Sequence, residues 1–419
     1  MEKRKRRSLL LLCAWIAMIL TNGTACIGRI RAADLMADIV PGPVQGKEAD
    51  ARFIENTAGF ALDLFRHSLA DDGNSLVSPT SVLLALAMTA NGAAGATLAQ
   101  METVLGRDIP LAELNQYLFS YVQSLTSAKD SKLRIANSIW FRDDSSLQVA
   151  QDFLQTNADY YRASAYKAAF DLQTVRDINH WVEDNTDSII EKIIDDIPAD
   201  AVMYLINAMV FDSRWQKVYN KLDIYRDEFT AADGTRQQAD FMRSEEGKYI
   251  DDGMATGFIK PYAGGKYSFV ALLPNEGLSV RDYLAGLDGQ RFVSAIRNAS
   301  PTTVKAAMPK FSCEYTLEMT EILKTMGMPL AFSREEADFS RLAHAAQGSL
   351  YIGEVLHKAF IAVDELGTKA GAVTKVEIKV TSAPVETKTV ILNRPFIFAI
   401  IDNGTSLPIF MGAVVKLSN

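Results

Sequence analysis

The stretch VMYLINAMVFD, residues 202–212, constrains the fold more than any other part of the 419-residue chain. It is apolar almost throughout and rich in good strand formers. Such a run fits a central strand buried on both faces. Around it, Phe53, Ala58, Ala61, Leu62 and Phe65 recur at helical spacing, which predicts a helix over 52–69. Ser78 is a good N-cap with Pro79 as first helical residue, and Asn91-Gly92 closes that helix. Shorter helices are expected from Thr97 to Gly106, over 111–126 and over 317–328, and a longer one over 174–193. Strands are expected over 131–141, several times within 240–285, near 308–315, and through most of the chain after 351. Helices dominate the first half and strands the second, which argues an α+β fold. Nearly half the residues are apolar, enough to bury a large core in one domain.

The first 25 residues stand apart. MEKRKRR is a basic start, residues 8–20 are apolar but short for a membrane span, and TNGTA offers small residues for cleavage after Ala25. Residues 1–25 are therefore expected to be a signal peptide, 26–50 a flexible exposed leader, and 51–419 the folded domain. Cys13 leaves with the signal, so Cys26 and Cys313 allow at most one disulfide. Cys26 directly follows the cleavage point, as in a bacterial lipid anchor. Gly23 stands where such anchors usually carry Leu, which fits ordinary cleavage instead. Secretion into the medium and anchoring at the cell surface through Cys26 are both open.

Chemistry-bearing motifs are scarce. The four histidines, His67, His180, His344 and His357, accompany no GxSxG elbow. There is no HExxH, no CxxC and no phosphate-cradling glycine loop, so no metal and no cofactor is expected. A net charge of −8 speaks against nucleic-acid binding, and residues 111–133 carry too few cations for a polyanion site. No enzymatic activity is expected.

Seven segments, in order, resemble the serpin family over nearly the whole mature length: NSLVSPTSVLLALAMTANGAAGATLAQM (74–101), INHWVEDNTDSIIEKII followed by LINAMVFDSRW (ending at Trp215), MPKFS, LHKAFIAVDELGTKAGAVT, NRPFIFAIID and LPIFMG. The resemblance implies three β-sheets, eight or nine helices and an exposed reactive-centre loop over about 365–393. It implies a "shutter" of Ser78, Ser81, Asn207 and His357 beneath the main sheet. It implies a "breach" of Trp215, Lys310 and Glu365 where the loop first enters, with a Glu365–Lys310 pair closing the sheet top. Glu365, Gly367, Thr368, Ala370, Gly371 and Ala372 correspond to the hinge, expected to stay out of the sheet until cleavage.

The loop passes a physical test. In a strand, alternate side chains face opposite sides. Thr368, Ala370, Ala372, Thr374, Val376, Ile378 and Val380 share one register without a charge, while Lys369, Lys375, Glu377 and Lys379 fall in the other. One face can thus be buried while the other meets solvent. Leu366 and Lys369 depart from the family's usual acidic or polar hinge residues. The family's usual spacing from Glu365 places the scissile bond at Thr381–Ser382, with Val380–Thr381 and Lys379–Val380 as neighbours. Thr or Val before the bond suits elastase- or subtilisin-like proteases, and Lys379 would suit trypsin-like ones. The expected protein is a secreted, monomeric suicide inhibitor that forms a covalent acyl complex with a serine protease. The alternatives are a non-inhibitory carrier, or a cross-class inhibitor of cysteine proteases.

Overall fold

In a computed structural model of the chain, residues 203–212 lie within a strand, Met203–Arg214, at the centre of a seven-stranded sheet. The structure describes residues 30–145, 147–198, 201–345, 350–368 and 387–417. The central strand is buried on both faces by alternation. Met203, Leu205, Met209 and Phe211 join the main core, while Tyr204, Ile206 and Ala208 join a second core. That second core is roofed by the helix Leu172–Asn185, through Ile178, Trp181 and Val182. On the opposite side lies the helix Pro79–Ala90, buried along all its length. Its start is local chemistry: the Ser78 side chain accepts from the Ser81 amide, and Pro79 occupies the first turn.

Strand order in this sheet is Ala33–Asp34, Ser164–Ala168, Ser131–Arg142, Met203–Arg214, Gly367–Thr368, Val355–Val363, Phe311–Glu318. A six-stranded sheet runs Ser75–Val77, Pro408–Val414, Phe396–Asp402, Tyr267–Pro274, Ala255–Pro261, Tyr249–Asp251. A four-stranded sheet runs Thr387–Ile391, Thr303–Pro309, Arg236–Glu246, Ile224–Thr230. With nine α-helices and one two-stranded ribbon among the described residues, the fold is α+β.

Several expectations need correction. The helix expected over 174–193 stops at Asn185, because Asp187 and Ser188 adopt left-handed backbone. Ile189, Ile190, Ile193 and Ile194 continue as a strap over the sheet. The helix expected over 317–328 is shorter, Thr320–Met326, since residues up to Glu318 remain in the strand Phe311–Glu318. Three helices, Gln151–Tyr161, Val280–Ala285 and Gly289–Arg297, were not anticipated; Ser279 and Asp288 cap the last two. The leader expected to be flexible is tethered where it is described, from residue 30 to 50. Its strand Ala33–Asp34 pairs with Ser164–Ala168, and the Arg31 and Ala32 amides donate to Asp177. The Gly42 amide donates to Asp159. Among the described residues Cys313 is a free, buried thiol, pushed up to about 11 by burial. No described helix is long and apolar enough to cross a membrane.

Candidate functional site: an open seam in the main sheet

The two central strands of the seven-stranded sheet, Met203–Arg214 and Val355–Val363, run parallel and are paired at only two positions, Val355 with Leu205 and Leu356 with Ile206. Above that point they separate. Among the described residues no ladder joins the facing edges of residues 207–212 and 357–362. This leaves a seam roughly 20 Å long at ~3.3 Å per residue.

At its top, Gly367 and Thr368 already sit between the two strands. Gly367 pairs with Arg214, and Thr368 with Ser213 on one side and Val363 on the other. These two hinge residues are therefore inside the sheet, where they were expected outside it. The backbone explains how. Asp364 accepts hydrogen bonds from the amides of Leu366 (2.7 Å) and Gly367 (3.1 Å), turning the chain back on itself. A Cβ on Gly367 would lie 2.1 Å from the Ser213 carbonyl oxygen, so only glycine fits. Thr368 is 1 % exposed, and its hydroxyl meets the Tyr262 hydroxyl at 2.6 Å.

The remaining breach residues surround this point. The Trp215 amide donates to the Leu366 carbonyl (2.9 Å) and its indole N–H to the Asp364 carbonyl (2.8 Å). Its ring stacks on Tyr262 at 4.6 Å. Lys310 Nζ lies 2.6 Å from Glu365, and that hydrogen bond holds the Glu365 carboxyl below its ordinary range. Sequence reasoning missed a second, buried pair beneath Trp215. Lys260 Nζ lies 2.8 Å from Glu246, both almost fully buried, and 4.3 Å from the centre of the Tyr219 ring. Burial pulls the Lys260 ammonium down, opposed by Glu246. The available signal was a lysine inside the apolar run GFIKPY.

Lower in the seam lies a buried polar cluster. The Ser78 amide donates to His357 Nε2 at 3.1 Å, and the Ser78 hydroxyl to the Ile409 carbonyl at 2.8 Å. Burial pushes His357 down to about 4, so it is neutral and accepts at Nε2. Asn207 donates its side-chain amide to Asn137, its partner across the antiparallel ladder. Asn137 was not anticipated. The Ser81 hydroxyl and Asn207 Oδ1 have no protein partner among the described residues. The four expected shutter residues thus share one buried neighbourhood, but Ser81 contributes there through its amide to Ser78.

The strap of residues 186–194 covers the upper seam. Ile189 and Ile190 line a small cavity with Met209, Val210, Phe211, Phe360, Ile361 and Thr368. The strap is tethered on both sides. Asp187 pairs with Lys132 and with Arg134 (2.9 Å), while Lys358 Nζ donates to the Lys192 carbonyl at 3.1 Å. Ala370, Gly371, Ala372, Lys379, Val380, Thr381 and Ser382 lie outside the described residues.

A sheet whose two central strands part, with Gly367 and Thr368 seated between them at the top, matches what the comparisons with known proteins return. The family model "Serpin (serine protease inhibitor)" matches residues 55–417, and the chain belongs to the serpin family. It is 30 % identical over 381 residues to an uncharacterised serpin-like protein of Thermococcus kodakarensis, covering 88 % of this chain and 87 % of that protein. It is 54 % identical to the solved thermophilic serpin tengpin in its native state, with a TM-score of 0.89, covering 92 % of this chain and all of that one. Against tengpin in its latent state the TM-score is 0.80 at 53 % identity, covering 89 % of this chain and all of that one. Serpins are in general protease inhibitors rather than catalysts.

Proposed function

We propose that the chain is a secreted suicide inhibitor of serine endopeptidases with elastase- or subtilisin-like specificity. One observation carries this reading: Thr368 is seated between Met203–Arg214 and Val355–Val363 where those strands part, and the uncharged register that follows it in sequence could continue as a strand between them. The protease serine would attack the Thr381 carbonyl carbon. The C–N bond to Ser382 would break, and the departing amine would take a proton from the protease's base. The freed strand would then add to the sheet, as in the strand insertion known for this mechanism. A dozen new ladder bonds at ~0.5–1.5 kcal/mol each supply on the order of 10 kcal/mol before packing. Export would use residues 1–25, with or without a lipid anchor on Cys26, and the inhibitor would act as a monomer.

The test is incubation with elastase-, subtilisin-, trypsin- and papain-like proteases, followed by denaturing gels and mass spectrometry. The expected result is an SDS-stable complex with a released C-terminal peptide beginning at Ser382. Cleavage without any complex across the panel defeats the inhibitory reading and favours a carrier. A complex with the papain-like member alone reassigns the target class. Complex formation with a peptide beginning elsewhere moves only the scissile bond.

A further inference from the structure

A second site lies away from the seam, where the six-stranded sheet meets the end of the first helix. A cleft of about 610 Å³ opens there. Its walls are largely apolar and include Leu69, Ala231, Leu278, Val280 and Val415. Pockets of this size, mostly apolar with a few fixed polar groups, are the usual form of small-molecule sites.

The polar groups of the lining are mostly engaged with the protein. Ser75 accepts from the Ala70 amide, Ser279 caps the helix Val280–Ala285, and Asn275 donates to the Gly253 carbonyl. Arg281 is paired with Asp71 at 3.1 Å. Arg394 differs. It is half-buried, and its Nη2 donates to the Pro274 carbonyl at 2.8 Å. Among the described residues no carboxylate forms an ion pair with it; Glu276 acts on it only through space. A guanidinium offers five N–H donors in a planar fork, so most of its donors remain for a ligand. Its backbone is well anchored. The Asn393 carbonyl accepts from the Thr230 amide at 2.8 Å, and Pro395 follows directly with a fixed φ. A fixed, partly desolvated guanidinium beside an apolar wall complements one kind of ligand: a carboxylate at the end of an apolar body.

We propose that this cleft binds a small amphipathic carboxylate, a medium-chain or aromatic acid, with its carboxylate on Arg394 and its apolar body against Leu69, Leu278 and Val415. The position is independent of the seam and of the protease reading.

The test is calorimetric titration of the full chain with decanoate, and with decylamine as the charge-reversed control. Saturable one-to-one binding of decanoate and no binding of decylamine are expected. Arg394→Gln should weaken decanoate at least about tenfold, the scale of a lost charge-assisted hydrogen bond, with an unchanged melting temperature. Ala232→Trp, at an exposed position on the cleft wall, should block decanoate by filling the cleft, and serves alone if Arg394→Gln does not fold. The proposal is overturned by no saturable decanoate binding, by equal binding of decylamine, or by affinity unchanged in either folded variant.

Discussion

The six-stranded and seven-stranded sheets are built from similarly apolar strands, yet their centres differ. In the six-stranded sheet, Phe396–Asp402 and Pro408–Val414 are buried at every residue and paired along nearly their full length, with one irregularity between Ile400 and Ile401. In the seven-stranded sheet, the two central strands share two paired positions and then part around Asn207, His357 and Ser78. Among the described residues, one sheet is paired continuously at its centre, and in the other the central ladder stops after two positions. Among the described residues the central ladder is interrupted only in the second sheet, so room for a further strand is found there.

The sharpest way to break this contrast is Thr368→Arg. Thr368 is enclosed by both strands and Tyr262, so a guanidinium there must expel the hinge. The stable protease complex should disappear, with more than about tenfold more inhibitor cleaved per protease captured, a loss above ~1.4 kcal/mol in partitioning. Gel quantification of complex against cleaved product measures it. Unaltered inhibition would show that insertion does not start at this seam.

Phe398→Ala tests the closed sheet. Phe398 is fully buried, stacked on Phe269 and packed on Phe311. Its loss should cost about 3–5 kcal/mol. The cost should be similar in the intact and the loop-cleaved protein, because this sheet is complete in both. Urea denaturation of the two forms makes the comparison, and a cost confined to the intact form would mean the closed sheet is also rearranged.

Acid should act on the seam. His357 is depressed from 6.5 to about 4, so the unfolded chain takes up its proton first. Its contribution to stability is complete above pH 6.5 and is lost as pH falls toward 4. The total is on the order of 3 kcal/mol at ~1.4 kcal/mol per pH unit. The difference in urea midpoint between the parent and His357→Gln, followed from pH 7 to 4.5, should shrink over this window. A constant difference would place the proton-linked loss elsewhere.

These tests fall on features that were unequally legible in the sequence. Ser78-Pro79 announced its helix because capping is local. The strand Met203–Arg214 was legible because burial on two faces leaves no polar register. Ile189, Ile190 and Ile193 misled: their spacing reports contact with the core, and an irregular strap buries Ile190 and Ile193 and packs the half-buried Ile189 beside them without a helix. Asn137 and the Lys260–Glu246 pair were illegible because each gains its meaning from a partner on another strand. The seam itself was legible only in part. The small, uncharged register pointed to insertion, but the turn made by Asp364, which commits Gly367 and Thr368 in advance, depends on backbone direction.

The smallest expected effect distinguishes a latch from a strut. Asp187 ties the strap to Lys132 and Arg134 in surface pairs, all three side chains being at least a third exposed or nearly so. Such pairs contribute about 0.2–1 kcal/mol and weaken with salt. The strap lies over the upper seam, so an incoming strand must pass beneath it while its tethers on the two sides hold. If the tethers resist that passage, Asp187→Asn lowers the barrier to insertion more than it lowers native stability. The rate of protease capture should then rise up to about fivefold, the kinetic equivalent of ~1 kcal/mol, while the urea midpoint barely moves. High salt should produce the same acceleration in the parent and none in the variant. A fall in stability with no change in capture rate would make Asp187 a strut of the resting fold, and the seam would then be closed by its own strands alone.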